Sequence, residues 1–340
     1  MTQKGAVFCL DAFNNLLATG GEDDKAYLWN IKYEENNNND KIEIELAYEC
    51  EKFADSVTNI KFSCDGKYLA VSDMSGKIRV YINQTKELFW SHDIEMDLET
   101  LGWHPNCNVL FCSTSDGYFM MFKISTNEIK MMYFGDNTVL SCFRILKDGK
   151  RAVCCYNNGN IRIIDLKSGQ PEFNILNAHE NDIICMDLSN DGNLLATGGV
   201  DMKIKIINTT NGKIVGTYEV PVSKEKAEEE NSVESVSFCK VMHLIACATL
   251  NGQLFIWDLN THVLRNKFEN DIGYSKIQWN NQELLYASTL DGMVQCYDGR
   301  NLQVVKKFSG HESEILDFCF DKNYIFTASN DNLVKVFKIN

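Results

Sequence analysis

The stretch LLATGGEDDKAYLWN, at residues 16–30, recurs as LLATGGVDMKIKIIN at residues 194–208. Nine of the fifteen aligned residues are identical, although 178 residues separate the two copies. Each copy places small residues before an Asp and alternating apolar residues after it, which is typical of two strands joined by a tight turn. The repetition indicates a chain built from copies of one β-unit.

Fainter copies of this unit bring the total to eight within the 340 residues. Their last residues are spaced 40 to 52 apart and are aromatic or β-branched: Trp29, Tyr81, Phe122, Ile164, Ile207, Trp257, Tyr297 and Phe337. A period of about 40–45 residues is typical of WD40 blades. Polar insertions at 36–40 and 223–231 account for the two longest spacings, and we expect the mixed-charge segment 223–231 to be a mobile loop.

Each copy supplies three strands, and a fourth precedes the next copy, as in a β-propeller blade. We therefore predict an all-β, eight-bladed WD40 β-propeller that spans residues 1–340 as one domain. Only Met1–Gly5 could add an outer strand to the eighth blade, so we expect a closing blade that is weakly latched, with three strands. A seven-bladed propeller with one irregular unit is the alternative.

A turn residue stands six positions before the end of each copy. Asp and Asn suit such turns because their side chains hydrogen-bond to the backbone nearby. The sequence predicts structural turns at Asp23, Asp116, Asp201, Asp291 and Asp331.

The composition limits the classes of function. The net charge is −14, which disfavours direct binding to nucleic acid and favours a basic protein partner. The thirteen Cys form no CxxC pair or zinc spacing, and no P-loop, GxGxxG, HExxH or GxSxG motif occurs. With no long apolar run and no signal peptide, we expect a cytoplasmic, monomeric, non-enzymatic protein without metal, cofactor or membrane insertion.

Several further stretches are more specific than the repeat pattern. They follow one another along the chain as GGEDDKA (20–26), DMSG (73–76), DGKRAV (148–153), IRIIDLKSG (161–169), GKIVG (212–216), NSVES (231–235) and EILDF (314–318). Together they resemble the angio-associated migratory cell protein family of WD40 proteins. This resemblance implies an eight-bladed propeller and, in fungal members, a chaperone that holds the basic N-terminal end of a large-subunit ribosomal protein.

Resemblance to WD40 proteins also implies particular residue roles. In that family a His and the turn Asp hydrogen-bond within a blade, which assigns His179 to Asp201 and His311 to Asp331. WD40 propellers usually bind partners where the turn before the third strand meets the connection into the innermost strand. The register places seven carboxylates there, namely Glu22, Asp73, Asp97, Glu99, Asp182, Glu234 and Glu314.

We predict that these carboxylates surround one mouth and bind a basic protein or peptide, such as a large-subunit ribosomal protein. Nearby apolar contacts are predicted from Met74, Trp103, Leu250 and Leu290. Two alternatives stay open at this point. The acids could be ordinary solvated loop residues, and the protein could be a general scaffold or adaptor in signalling or cell migration.

Overall fold

A computed structural model describes residues 1–34, 41–132, 137–222 and 231–339 of the chain. The regular elements of these residues are strands, which form eight sheets, seven with four strands and one with three. The prediction of an all-β, eight-bladed β-propeller is confirmed, and the seven-bladed alternative is wrong. In the part of the chain that the structure describes, no helix has the length and apolarity to cross a bilayer.

Consecutive strands are hydrogen-bonded neighbours within each sheet. The first four sheets comprise β1 Val7–Phe13, β2 Leu16–Gly21, β3 Ala26–Glu34 and β4 Lys41–Glu49; β5 Val57–Phe62, β6 Tyr68–Asp73, β7 Lys77–Ile82 and β8 Leu88–Asp93; β9 Leu98–Trp103, β10 Leu110–Thr114, β11 Phe119–Lys123 and β12 Glu128–Met132; and β13 Cys142–Ile145, β14 Arg151–Cys155, β15 Ile161–Asp165 and β16 Gln170–Ile175.

The same order continues in the second half of the chain. The last four sheets comprise β17 Ile183–Leu188, β18 Leu194–Gly199, β19 Lys203–Asn208 and β20 Lys213–Glu219; β21 Val233–Phe238, β22 Leu244–Thr249, β23 Gln253–Asp258 and β24 Leu264–Glu269; β25 Tyr274–Trp279, β26 Leu284–Thr289, β27 Val294–Asp298 and β28 Val304–Phe308; and β29 Ile315–Asp321, β30 Tyr324–Ser329 and β31 Val334–Lys338.

Burial differs systematically between the strands of a sheet. The second strands β6 and β22 are buried at every residue, whereas the outer strand β16 alternates between exposed and half-buried residues. A second strand is covered on both faces, and its sequence is therefore a continuous run of apolar or small residues. The outer strand, with one face to solvent, keeps a period of two.

The chain divides into two compact units, which are described separately. Unit one contains Met1–Cys112, Met121–Ile129 and His311–Asn340. Within it, β1 packs against β29 and β5, and β5 packs against β9. Leu28, Val57 and Ile60 belong to the buried cluster that joins its first two sheets.

Unit two contains Ser113–Met120 and Lys130–Gly310. Within it, β17 packs against β13 and β21, and β21 packs against β25. Apolar clusters join consecutive sheets, as when Ile204 and Ile206 pack with Val236 and Phe255. Each sheet thus buries its faces against its neighbours, as repeat architectures require.

The eighth sheet has three strands, as predicted, and the N-terminal residues lie beside the turn before β31 and the first residue of that strand. Thr2 forms an antiparallel bridge with Leu333, and the backbone N–H of Gln3 donates to the backbone carbonyl of Asn332 at 3.0 Å. The Met1 ammonium donates to the Val334 carbonyl at 2.9 Å. These few backbone hydrogen bonds attach the N-terminal residues to the closing blade, and we call them its latch.

The polar insertions fall largely outside the described residues. This applies to 36–40 and to 223–230, so the predicted mobile loop at 223–231 remains a prediction except at its last position. Asn231 is buried, and its side-chain oxygen accepts a hydrogen bond from Asn251 Nδ2 at 2.8 Å. The inference of mobility therefore does not extend to Asn231.

The residue after each turn position has a positive φ in all eight sheets. Gly occupies five of these positions, and Asp24, Met202 and Asn332 occupy the others. At Gly252, where φ is 91°, a Cβ would lie 2.1 Å from the Asn270 carbonyl oxygen. Gly is required there because any side chain would collide with backbone.

Candidate functional site

One backbone hydrogen bond recurs at the same end of six sheets. The residue before the turn position donates its N–H to the carbonyl of the residue before the innermost strand, as in Met74 to Ser56 at 2.9 Å and Val200 to Asp182 at 3.0 Å. This bond joins the two loops that the sequence placed at the binding face. We call these two loop residues, together with the first two residues of the innermost strand, the entry edge of a sheet.

The entry edges of unit one carry four accessible carboxylates. Asp97 and Glu99 are exposed on either side of Leu98. Partial burial of the Glu99 carboxyl group, together with the Asp97 charge, raises the pKa of Glu99. Glu22 is exposed, and its carboxylate accepts from the Ala6 amide at 3.0 Å. Glu314 is half-buried and accepts from Asn330 Nδ2 at 3.1 Å. The backbone and amide contacts orient these acids without neutralising them.

Asp73 differs from the other predicted acids because it is fully buried. Its Oδ1 accepts from the Lys77 amide at 2.8 Å and from Ser75 Oγ at 2.9 Å. Thr114, Thr249 and Thr289 make the equivalent bond, each to the amide four residues later. Asp73 closes a turn and cannot reach a partner, so its assignment to the binding surface is corrected here.

Two further carboxylates lie at entry edges of unit two. Asp182 is exposed directly before β17, and its carbonyl accepts the Val200 amide. Glu234 is half-buried at the second residue of β21 and accepts from the Ser232 hydroxyl. Both occupy the loop or strand positions that the register assigned to them.

The six accessible carboxylates share one electrostatic property. Among the described residues, no Lys or Arg nitrogen lies within 4.0 Å of Glu22, Asp97, Glu99, Asp182, Glu234 or Glu314. Surface acids elsewhere are often paired, as in Asp24 with Lys52 at 3.0 Å and Asp148 with Arg151 at 2.7 Å. The charge of the entry edges is therefore available to an external cation.

Two of the predicted apolar residues belong to unit one and have different positions. Met74 is 54% exposed, and its carbonyl accepts the Leu98 amide at 3.4 Å, which places it beside Asp97. Trp103 lies at the opposite end of β9, where its Nε1 donates to the Lys61 carbonyl at 2.9 Å. A six-residue strand is about 16 Å long, so the assignment of Trp103 to this edge is wrong.

The other predicted apolar residues, Leu250 and Leu290, lie close to Gly273 in unit two. A Cβ on Gly273 would come within 2.0 Å of the Leu250 carbonyl oxygen and 2.9 Å of Leu290 Cδ1. Both Leu side chains are half-buried and sit at the position before the turn. The close backbone approach at Gly273 brings neighbouring entry edges together.

Ile184 and Val200 were missed by the sequence reasoning. They are 37% and 40% exposed at entry edges of unit two. Val200 stands at the same repeat position as Met74, Leu250 and Leu290, and this alignment is the signal that could have identified it.

The predicted turn residues have structural contacts. His179 Nδ1 lies 2.9 Å from Asp201 Oδ1, and its Nε2 lies 2.8 Å from Thr197 Oγ1. Burial alone raises the pKa of Asp201, but the hydrogen bond and charge of His179 outweigh it and hold that pKa below its usual value. His311 makes the same contacts with Asp331 and Thr327. These residues hold the turn in place.

The remaining turn Asp residues vary in their surroundings. Asp23 accepts from the Tyr27 hydroxyl at 2.7 Å, and Asp291 accepts from the Thr289 hydroxyl. Asp116 is exposed beside a shallow polar pocket lined by Ser115, Tyr118 and Asn137. The first two stabilise their turns through side-chain bonds.

Comparison with known proteins gives consistent matches along the chain. The family model "WD domain, G-beta repeat" matches residues 2–30 and 47–81, and the "WD40-like domain" model matches 181–340. The Homo sapiens protein "Angio-associated migratory cell protein" is 38% identical over 98% of this chain and 78% of its own length.

A fungal relative matches in both sequence and structure. "Ribosome assembly protein SQT1" of Saccharomyces cerevisiae is 24% identical over 98% of this chain and 84% of its own. The crystal structure of the same yeast protein covers 100% of this chain and 98% of its own, with a TM-score of 0.89 and 22% identity. Chaetomium thermophilum Sqt1 bound to the N-terminus of ribosomal protein L10 has a TM-score of 0.84 and 20% identity, over 99% of this chain and 97% of its own.

Proposed function

The chain belongs to the angio-associated migratory cell protein family, and on this premise we propose that it is a non-enzymatic ribosome-assembly chaperone. Its client is the basic N-terminal end of a large-subunit ribosomal protein, which it binds as a cytoplasmic monomer. The relative named as a ribosome assembly protein, and the related fungal protein bound to the L10 N-terminus, support this choice of client.

The observation that carries the proposal is the unpaired acidity of the entry edges. Six accessible carboxylates have no Lys or Arg partner within the described parts of the chain, and the net charge of −14 adds to the attraction for cations. A single exposed ion pair contributes only about 0.2–1 kcal/mol. Several together would give a salt-dependent affinity for an Arg- and Lys-rich segment.

Calorimetry with a peptide of the L10 N-terminal residues tests the proposal. We expect binding that weakens clearly between about 50 and 300 mM salt, because exposed charge interactions are screened. The double variant Asp97→Lys and Glu99→Lys replaces attraction by repulsion and should weaken binding about tenfold or more. No binding by the unaltered protein, or binding indifferent to salt, would contradict the proposal.

A matched control carries the same change in net charge away from the entry edges. Glu43 lies on the outer strand β4, and Glu87 lies in the turn before β8; both are exposed. The variant Glu43→Lys and Glu87→Lys should change the affinity less than about threefold, through the general field alone. Equal losses in the two variants would show that the entry edges are not the contact.

Affinity capture distinguishes this chaperone from a general scaffold. A dedicated chaperone should retain one ribosomal protein in stoichiometric amount, and the Asp97→Lys, Glu99→Lys variant should lose it. A diffuse set of partners that persists in that variant would favour the scaffold instead.

A further inference from the structure

Three consecutive sheets of unit two carry an apolar residue at the entry-edge position before the turn. The position before the turn is Val200 in the fifth sheet, Leu250 in the sixth and Leu290 in the seventh. In unit one the same position holds Glu22, Met74 and Asn330. Ser115 and Asn157 occupy this position elsewhere in unit two, so the three consecutive apolar side chains are confined to the fifth, sixth and seventh sheets.

Ile184 adds to this apolar surface because of a bulge in β17. Ile183 pairs with Gly199 and Cys185 pairs with Gly198, so Ile184 has no partner across the strands. The extra residue of a β-bulge is turned out of the ladder. Ile184 consequently remains 37% exposed although it belongs to an innermost strand.

Carboxylates border the same surface. Glu234 is the bulge residue of β21, since Val233 pairs with Thr249 and Ser235 with Ala248. The strands β17 and β21 pack together, and Cys185 Sγ lies 3.3 Å from the Val233 carbonyl oxygen, which brings the two bulges side by side. On the other side, Asp182 stands two residues before Ile184 and bonds Val200 through its carbonyl at 3.0 Å.

An apolar surface flanked by acids selects for two properties at once. Carboxylates attract Arg and Lys. Exposed aliphatic side chains contribute favourably to binding only when another apolar group covers them and removes them from water. Binding energy at interfaces concentrates in such desolvated anchors, and charges at the edge contribute mainly to association and register. A segment that satisfies both must carry an apolar side chain between basic ones.

We infer that Ile184, Val200 and Leu250 form a specificity surface that receives one aliphatic or aromatic side chain of the basic client, with Asp182 and Glu234 contacting its flanking Arg or Lys residues. This inference rests on the proposed function and adds a sequence requirement to it. Net positive charge alone would then be insufficient for full affinity.

The test uses two synthetic Arg- and Lys-rich peptides that differ in one central residue, Leu in one and Ser in the other. The unaltered full chain should bind the Leu peptide about fivefold or more tightly than the Ser peptide. In the variant Ile184→Thr and Val200→Thr, the ratio of the two affinities should fall to within about twofold. The Ser peptide should bind this variant as it binds the unaltered protein.

The control variant Val241→Thr and Val263→Thr makes a similar change at two residues that are 58% exposed outside the entry edges. It should retain the full ratio. The variant Asp182→Asn and Glu234→Gln should weaken both peptides by the same factor and leave the ratio unchanged.

The outcomes separate the two proposals. Equal affinity of the unaltered protein for the two peptides overturns the apolar specificity surface and leaves the electrostatic chaperone standing. A ratio that persists in Ile184→Thr and Val200→Thr overturns the assignment to these residues. Failure of both peptides, and of the L10 peptide, to bind overturns both proposals.

Discussion

His311 Nδ1 lies 2.9 Å from Asp331 Oδ2, and the opposite ring nitrogen of His311 lies 2.7 Å from Thr327 Oγ1. With its proton on Nδ1, a neutral ring donates to the carboxylate and accepts from the hydroxyl. The ring is buried in the closing blade, close to the residues that latch it. A titratable side chain therefore holds the turn at the least complete sheet.

The His311 contact predicts a pH-dependent stability. Burial lowers the pKa of His311 below 6.5, although the hydrogen bond to Asp331 opposes this shift. Below pH 6.5 the unfolded chain binds a proton that the folded chain resists, so the free energy of unfolding falls as pH falls. Urea unfolding should show a lower midpoint at about pH 5.5 than at about pH 7.5.

Two variants isolate this effect. A Gln side chain makes a similar bond in the first sheet, where Gln3 Nε2 donates to Thr19 Oγ1 at 2.6 Å. His311→Gln therefore keeps a hydrogen-bond donor but cannot be protonated, and it should flatten the pH dependence of stability. His311→Ala removes the buried hydrogen bonds of the ring to Asp331 and Thr327 and should lower the free energy of unfolding by about 1–3 kcal/mol. His243→Ala, at an exposed residue, is the control and should be neutral within about 0.5 kcal/mol. An unchanged pH profile in His311→Gln would contradict this explanation.

The buried turn acid Asp73 predicts a substitution that rescues stability. Asp73→Ala removes the acceptor for the Lys77 amide and should lower the free energy of unfolding by about 1–3 kcal/mol. Asp73→Thr should cause a much smaller loss of stability, because Thr249 Oγ1 accepts from the backbone N–H of Gln253 in the same way at 2.8 Å. Urea denaturation of both variants provides the measurement, and equal losses would contradict the turn-closing role.

Asp187 forms a hydrogen bond between two sheets of unit two. Here a conservative substitution is expected to maintain or raise the free energy of unfolding rather than lower it. Its Oδ2 accepts from the Phe238 amide on the neighbouring innermost strand at 2.8 Å. Burial raises the pKa of Asp187 above 3.8, even though the Phe238 bond acts to lower it. The ionised carboxylate therefore destabilises the fold at neutral pH, and this cost disappears as pH falls through the raised pKa.

Asp187→Asn keeps an acceptor for Phe238 without the charge. It should equal or exceed the unaltered protein in stability at neutral pH, and its advantage should shrink toward pH 4. Asp187→Ala should instead lose about 1–3 kcal/mol, because the buried Phe238 amide loses its acceptor. Thermal unfolding at several pH values checks both, and an Asn variant as unstable as the Ala variant would contradict the assignment.

The adjacent acids Asp97 and Glu99 predict a coupled titration. Partial burial of the carboxyl group is the main cause of the raised pKa of Glu99, and the Asp97 charge raises this pKa further. Asp97→Asn should therefore lower the pKa of Glu99 part of the way toward 4.5, and a bound cationic peptide should lower it further. Carboxyl NMR titration measures this shift; a Glu99 pKa that is insensitive to residue 97 would show that the two charges do not interact.

The repeat sequence determined the elements of this protein. Alternating apolar residues bounded by Asp, Asn and Gly encode strands and turns locally, so the eight sheets follow from the pattern. The same register identified Asp97, Asp182 and Glu314 as residues beside innermost strands. Local periodicity suffices for this because strand direction and turn position depend on neighbouring residues.

Accessibility was decided only by the tertiary structure. Asp73 is the last residue of β6 and Glu22 directly follows the last residue of β2, so the two occupy neighbouring repeat positions, yet Asp73 is fully buried and Glu22 is exposed. Trp103 lies at the far end of its strand, while Ile184 remains exposed because a bulge turns it outward. Burial depends on which side chains from other strands cover a residue, and those strands are distant in sequence. The pattern could therefore specify the position of a residue along its strand but not its availability to a partner.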